Sequence, residues 1–110
     1  MNALRNKVQL IGHVGGEPEV KTFGEGKKVV HIILATNEIY KNANGEKIKE
    51  THWHRIVAWG KQGDIIEKYV TKGKEIAIQG KLTYRTFEDK NGEKRYITEI
   101  IVNDILLLSK

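Results

Sequence analysis

The chain has 110 residues, no cysteine, and 19 Lys and Arg against 14 Asp and Glu, so its net charge is +5. This length fits one compact domain over residues 1–110, and the lack of cysteine excludes disulfides and thiolate metal sites and favours a reducing cytoplasm. No apolar run approaches the roughly 18 residues that cross a bilayer, and the first residues lack a signal-peptide hydrophobic segment, so a membrane protein is not expected.

The first part of the chain is predicted to form strands. Residues 7–14 form the first, because apolar residues and glycine alternate with other residues there. Gly-Gly-Glu-Pro then ends it, and a short strand is predicted at 19–22, followed by a turn at 24–27. A long strand at 28–36 has apolar residues on both faces, so we expect it to be covered on both sides.

A polar loop is predicted at 38–49, with Asn44-Gly45 as its hairpin turn. The strand at 51–59 follows. The only predicted helix spans 61–70, where apolar residues recur at helical spacing before Gly73.

The last part of the chain is predicted to be a hairpin of two long strands. Residues 75–87 alternate, with the following expected inward: Ile76, Ile78, Gly80, Leu82 and Tyr84. Lys81, Thr83, Arg85 and Phe87 are expected outward. Asn91-Gly92 makes the turn, and the apolar segment 95–108 is the final strand. This order, with one helix between the third and fourth long strands, predicts an all-β OB-fold: a five-stranded Greek-key barrel with long hairpin loops.

The run Thr-His-Trp-His-Arg-Ile-Val-Ala-Trp-Gly-Lys at 51–61 carries the main functional signal. In a strand, Trp53, Arg55 and Trp59 point to one face, while Ile56 and Ala58 supply an alternative inward face. Rings that alternate with cations suit unpaired bases joined by phosphates. The alternative is that the two indoles belong to the core.

The same chemistry recurs elsewhere. Lys81, Arg85 and Phe87 repeat the alternation on the fourth long strand, and Tyr40 beside Lys41 adds a ring to the long loop. A net positive charge is typical of nucleic-acid binders. A solvated amphipathic face remains the plain alternative, but the repetition favours nucleic-acid binding.

Catalytic and metal sites are not indicated. His52 and His54 lie two residues apart, but no third ligand follows at a telling spacing. A magnesium nuclease would use neighbouring acidic residues to hold the metal, and two pairs are candidates: Asp64 with Glu67, and Glu88 with Asp89. Both pairs are expected to be ordinary surface charge. Since no catalytic motif or phosphate-binding glycine loop is present either, we interpret the protein as a non-enzyme without a cofactor.

The sequence resembles the bacterial and mitochondrial type of single-stranded DNA-binding protein over essentially the whole chain. The matching segments are NKVQLIG (6–12), GEPEV (16–20), LATNE (34–38), THWHRIV (51–57), WGK (59–61), YVTKG (69–73), GKL (80–82) and RYITE (95–99). In this order and combination they are specific, although each one alone is weak.

The resemblance implies an OB-fold that coats single-stranded DNA in replication, recombination and repair. It assigns base stacking to Tyr40, Trp53, Trp59 and Phe87, where the family more often has Trp, Trp, Phe and Trp. It assigns phosphate contacts to Arg5, Lys7, Arg55, Lys61, Lys72, Arg85 and Arg95. It also implies a homotetramer in the cytoplasm, associated with the nucleoid, with His54 at a subunit interface.

Two points stay open at this stage. The family in bacteria usually has a flexible tail with an acidic tip that recruits replication and repair proteins, and the sequence given stops at Lys110. Replication and repair proteins are therefore expected as partners only if the full-length protein has such a tail, which this chain does not contain. The alternative functions are an RNA-binding OB module and a dimeric replication-restart accessory protein.

Overall fold

The computed structural model describes residues 5–108, which form six strands and one helix. The elements are β1 (Val8–Val14), β2 (Glu19–Phe23), β3 (Lys27–Lys41), β4 (Lys47–Trp59), α1 (Gly60–Tyr69), β5 (Glu75–Glu88) and β6 (Lys94–Leu107). No helix in this part of the chain has the length and apolar character needed to cross a membrane.

Five of the strands close into a barrel. The strand order is β1-β5-β6-β4-β3, and β1 returns to pair with β3. β2 lies outside the ring and pairs with an earlier stretch of the same edge of β3, because β4 occupies the other edge. The β4–β6 pairing is parallel and the other pairings are antiparallel. This is the OB-fold architecture that the element order predicts.

The barrel interior is filled by aliphatic side chains from every barrel strand and from the helix. Its members are Val14, Val30, Ile32, Leu34, Ile56, Ala58, Ile66, Val70, Ile76, Ile78, Ile100 and Val102. Because side chains alternate along a strand, the strand residues next to these inward positions point to the outside of the barrel. The alternation of β4 places Ile56 and Ala58 inside, so the two Trp side chains of this strand are not core residues.

Two glycines let neighbouring strands approach closely. A Cβ at Gly12 would lie 2.3 Å from the carbonyl oxygen of Ala35, and a Cβ at Gly80 would lie 2.2 Å from that of Ile101. Gly12 stands close to the pairing of β1 with β3, and Gly80 stands at a register shift between β5 and β6. A side chain at either position would therefore clash with the neighbouring strand, and glycine is expected where a barrel strand bends.

The prediction of a polar loop at 38–49 is wrong. β3 and β4 stay paired from Val29↔Trp59 to Lys41↔Lys47, so most of that segment is a two-stranded arm. The turn is short, and the Asn42 carboxamide oxygen accepts hydrogen bonds from the backbone N–H groups of Asn44 and Glu46. The reason is that backbone pairing in an exposed ribbon requires no apolar side chains, so polarity did not indicate a loop.

The inward placement of Tyr84 is also wrong. Its side chain is 69% exposed, because β5 and β6 continue past the barrel wall as a second arm. In the turn of this arm, the Asp89 carboxylate accepts hydrogen bonds from the backbone N–H groups of Asn91 and Glu93, as Asn42 does in the first arm. Alternation therefore predicts which side of a strand a residue takes, but not where the core ends along it.

Candidate nucleic-acid interface

The outward side chains of β4 lie beside those of β3 on one wall of the barrel. Register pairs Trp59 with Val29 and Arg55 with Ile33. β2 extends this wall on the β3 side, and β6 with β5 extends it on the β4 side. We call this surface the outer wall, and its polar and aromatic members are Lys21, Phe23, His31, Trp53, Arg55, Trp59, Arg85 and Glu99.

Two adjoining grooves run along the outer wall. The larger, of about 470 Å³, has an apolar floor of Val29, Val57 and Ile101. The smaller, of about 250 Å³, includes Ile33 and Arg55. Lys21, His31 and Arg85 line both grooves. The two grooves therefore share Lys21 and Arg85, while the carboxylates of Glu17, Glu19 and Glu99 also line them.

Trp53 lies at the end of the wall beyond Arg55. Its indole is 63% exposed and passes over Gly15, where a Cβ would lie 2.6 Å from Cζ3 of the ring. Gly15 therefore leaves the space in which the indole lies. The exposed face of this ring is available to a base.

Trp59 stands at the other end, and its ring meets that of Phe23. The two centroids are 6.2 Å apart and the planes are inclined by 25°. Both rings remain about half exposed. Sequence reasoning missed Phe23, although Lys21 and Phe23 on β2 show the same alternation of cation and ring as β4.

Arg85 lies between these ends and is held by a carboxylate. Its Nε and Nη2 donate to the two oxygens of Glu99 at 3.1 and 3.2 Å. The Glu99 residue is only 8% exposed, whereas the Arg85 side chain is half exposed. Arg85 thus faces the groove as part of an ion pair, not as a free cation.

The arms carry the other two predicted rings. Phe87 is paired with Arg95 on the β5–β6 arm and is partly exposed, on the same face as Arg85. Tyr40 is also exposed, but by alternation it falls on the face of β3 and β4 that carries His54, opposite Trp53. Its hydroxyl donates to Glu50 at 2.7 Å, and this hydrogen bond raises the pKa of Tyr40. The structure therefore does not bring Tyr40 together with Trp53 and Trp59.

The remaining predicted cations are more dispersed. Arg95 Nε donates to Asp89 at 2.8 Å, an ion pair that lowers the pKa of the Asp89 carboxyl. Arg5, Lys7, Lys61 and Lys72 are exposed, but none of them lines either groove of the outer wall. Of the seven predicted phosphate contacts, the geometry gathers only Arg55 and Arg85 in the grooves.

His54 lies on the other face of β4, half-buried. Its Nε2 is hydrogen-bonded to Thr36 Oγ1 at 2.9 Å, and its ring stacks on that of His52 with centroids 6.5 Å apart. Burial, and to a lesser degree the neighbouring His52, lowers the pKa of His54. Within residues 5–108 no group of three or more His, Cys, Asp and Glu side chains is arranged to hold a metal ion.

A second surface of the barrel is apolar. Ile11 on β1 and Leu106 on β6 are each 62% exposed and line a shallow groove of about 300 Å³ that spans β1, β5 and β6. Gln9 and Gln79 are hydrogen-bonded across it at 3.1 Å. This apolar face was not predicted from the sequence.

The model of the single-strand binding protein family matches residues 5–108 of the chain. The chain belongs to this family. It is 46% identical over 104 residues to "Single-stranded DNA-binding protein 1" of Chlorobaculum tepidum, which covers 94% of this chain and 64% of that protein. It is 42% identical over 113 residues to the single-stranded DNA-binding protein of Rickettsia felis, which covers 96% of this chain and 74% of that one. The chain thus spans less than two-thirds of the Chlorobaculum protein.

Solved structures show the same architecture. A Plasmodium falciparum SSB in complex with ssDNA superposes with a TM-score of 0.86 at 40% identity, over 99% of this chain and 100% of that one. A deletion mutant of the Thermus aquaticus single-stranded DNA-binding protein gives a TM-score of 0.82 at 26% identity, over 94% of this chain and 50% of that one. The resemblance stated from the sequence motifs and the predicted OB-fold are both confirmed. The family is one of binding proteins, which also confirms the non-enzymatic interpretation.

Proposed function

We propose that this protein binds single-stranded DNA with little sequence preference and protects exposed strands in replication, recombination and repair. The observation that carries the proposal is the placement of Trp53, Arg55 and Trp59 along one outward face of β4, with both indoles exposed. Bases of an unpaired strand stack on such rings, while cations between them neutralise phosphates. A duplex hides its base faces, so it is bound less well.

The comparisons support this proposal. The Plasmodium falciparum structure that shares 40% identity and the whole barrel is described as a complex with ssDNA. The bacterial relatives carry single-stranded DNA-binding names. By this likeness, the protein would act in the cytoplasm, at the nucleoid.

A fluorescence titration tests the proposal directly. Adding oligo-dT at low salt should strongly quench tryptophan emission, while a duplex of equal length should quench it weakly. Trp53→Ala should weaken oligo-dT binding by about 1–3 kcal/mol, the usual contribution of a stacked ring. Tyr69→Ala is the matched control, since Tyr69 is a half-exposed ring on α1, away from the outer wall. An absence of quenching by oligo-dT would contradict the proposal, and tighter binding of oligo-U would favour the RNA-binding alternative.

The predicted phosphate contact of Arg55 has its own test. Each phosphate contact adds to the slope of log affinity against log salt, by about 0.7 for a single strand. Arg55→Ala should therefore reduce that slope. An unchanged slope would remove Arg55 from the contacts.

We also propose that the subunits assemble as a homotetramer. The exposed apolar face that carries Ile11 and Leu106 supports this, because such surfaces are usually covered in the functional state. Ile11→Glu should lower the mass measured by light scattering, as should replacement of His54, which the family resemblance places at an interface. A mass that stays at one subunit in the parent would contradict the assembly without affecting strand binding.

A further inference from the structure

The larger groove of the outer wall has features that the stacking residues named so far do not explain. Its floor is apolar, formed by Val29, Val57 and Ile101, and its rim includes the paired rings of Phe23 and Trp59. Lys21 and Arg85 add charge at the same rim. A groove with an apolar floor, a pair of rings and cations has the composition of a base-binding site on a charged backbone path.

We propose that Phe23 is a further stacking residue and that this groove holds one unpaired nucleobase between the Phe23–Trp59 pair and Arg85. The inference rests on the proposed binding of single-stranded DNA and names a binding site within it. It also assigns to β2, the strand outside the barrel ring, a part in strand binding.

The position of Phe23 follows from strand pairing. It is the last residue of β2 and pairs with Lys27 of β3. Trp59 is the last residue of β4 and pairs with Val29, also on β3. Gly24 and Gly26 have φ values of 30° and 82°, which permit the tight turn between β2 and β3. The two rings therefore meet across β3, at the distance of an interacting aromatic pair.

The exposure of Phe23 argues against a role in packing alone. Its ring is 48% exposed and is absent from the core cluster, so little of the barrel depends on it. Two neighbouring half-exposed rings form a contiguous apolar patch, and such patches often mark binding sites. Lys21, two residues earlier on the same face, would lie toward the phosphates of the strand whose base is stacked.

Two oligonucleotides distinguish base stacking from other roles of Phe23. One is oligo-dT, and the other is an abasic oligonucleotide of equal length and charge. If Phe23 stacks on a base, Phe23→Ala and Phe23→Leu should bind oligo-dT about 5- to 10-fold more weakly than the parent, near the low end of a stacking contribution. Both variants should bind the abasic strand as the parent does, and Phe23→Trp should restore oligo-dT affinity.

The outcomes are decisive in each direction. Parent-like binding of oligo-dT by Phe23→Leu, or an equal loss on both strands, would overturn the stacking role. A similar loss in Tyr69→Ala would do the same, because that ring lies on the helix. Failure of the parent itself to bind oligo-dT would instead refute the proposed function. The melting temperature of Phe23→Ala shows whether this variant folds. If it does not, Phe23→Leu still tests the role of the ring, because it keeps an apolar side chain of similar size.

Discussion

Arg85 is joined to Glu99 by two hydrogen bonds of 3.1 and 3.2 Å, in the larger groove of the outer wall that also includes Trp59. The carboxylate is nearly buried, and the half-exposed guanidinium is its ion-pair partner. A phosphate that approaches Arg85 must therefore compete with Glu99. The pair limits the attraction of this part of the wall for a polyanion.

Neutralising Glu99 should strengthen strand binding. Glu99→Gln keeps the shape and an acceptor for Arg85 but removes the negative charge, so we expect about fivefold tighter binding of oligo-dT at low salt, equivalent to roughly 1 kcal/mol. Fluorescence titration at two salt concentrations measures this. Glu67→Gln removes the same charge on α1, where the carboxylate pairs with Lys28, and serves as the control. Equal gains in both variants would show a general charge effect, contrary to the prediction.

Gly15→Ala should weaken binding without unfolding the barrel. The added methyl group would lie 2.6 Å from the Trp53 ring, so the exposed indole must move from its position over Gly15. We expect a loss of roughly 1 kcal/mol in oligo-dT affinity, because the ring is misplaced but still present. Gly16→Ala is the matched control, since a Cβ at Gly16 meets nothing within 4 Å. If the two variants bind alike, the position of the indole does not matter.

Gly80→Ala should destabilise the barrel. Its Cβ would lie 2.2 Å from the backbone oxygen of Ile101, and backbone cannot move aside as an exposed ring does. Overpacking of this kind costs about 1–3 kcal/mol, and we expect the upper end. Urea unfolding of this variant, with Gly16→Ala again as control, measures the change in the free energy of unfolding. Parent-like stability would mean that β5 and β6 can separate at the register shift at no cost.

The free energy of unfolding should decrease in mildly acidic solution because His54 becomes protonated. Its pKa in the folded protein lies below its ordinary value of 6.5, chiefly because of burial. The unfolded chain therefore takes up this proton at a higher pH than the folded one. The contribution of neutral His54 is complete above about pH 6.5 and is lost as the pH falls toward the lower, folded pKa.

Thermal unfolding between pH 7.5 and 5.5 measures this effect. His54→Gln has no titratable group at this position, so its melting temperature should decrease less over that interval than that of the parent. The two slopes are compared, not the absolute temperatures, because the substitution also alters the bond to Thr36. Identical slopes would show that His54 does not contribute to the acid sensitivity.

Alternation along single strands made much of the fold predictable. The inward positions of β4 and the exposed placement of Trp53, Arg55 and Trp59 follow from a period of two residues, which is a property of the strand itself. The helix was found for a similar reason, since its apolar residues recur at helical spacing, and it was displaced by one residue only. The lengths of the two arms were not predicted, because backbone pairing in an exposed ribbon does not require any particular pattern of side chains.

The sequence by itself determined the barrel class, the inward faces and the aromatic strand, because each depends on residues close together in the chain. Only the tertiary structure decided that Phe23 meets Trp59, that Arg85 is bound to Glu99, and that Tyr40 lies on the face opposite Trp53. Those relationships depend on the register between strands that are distant in sequence. Register depends on how the inward residues of two strands match and on the turns that join the strands, so the pattern of a single strand does not contain it.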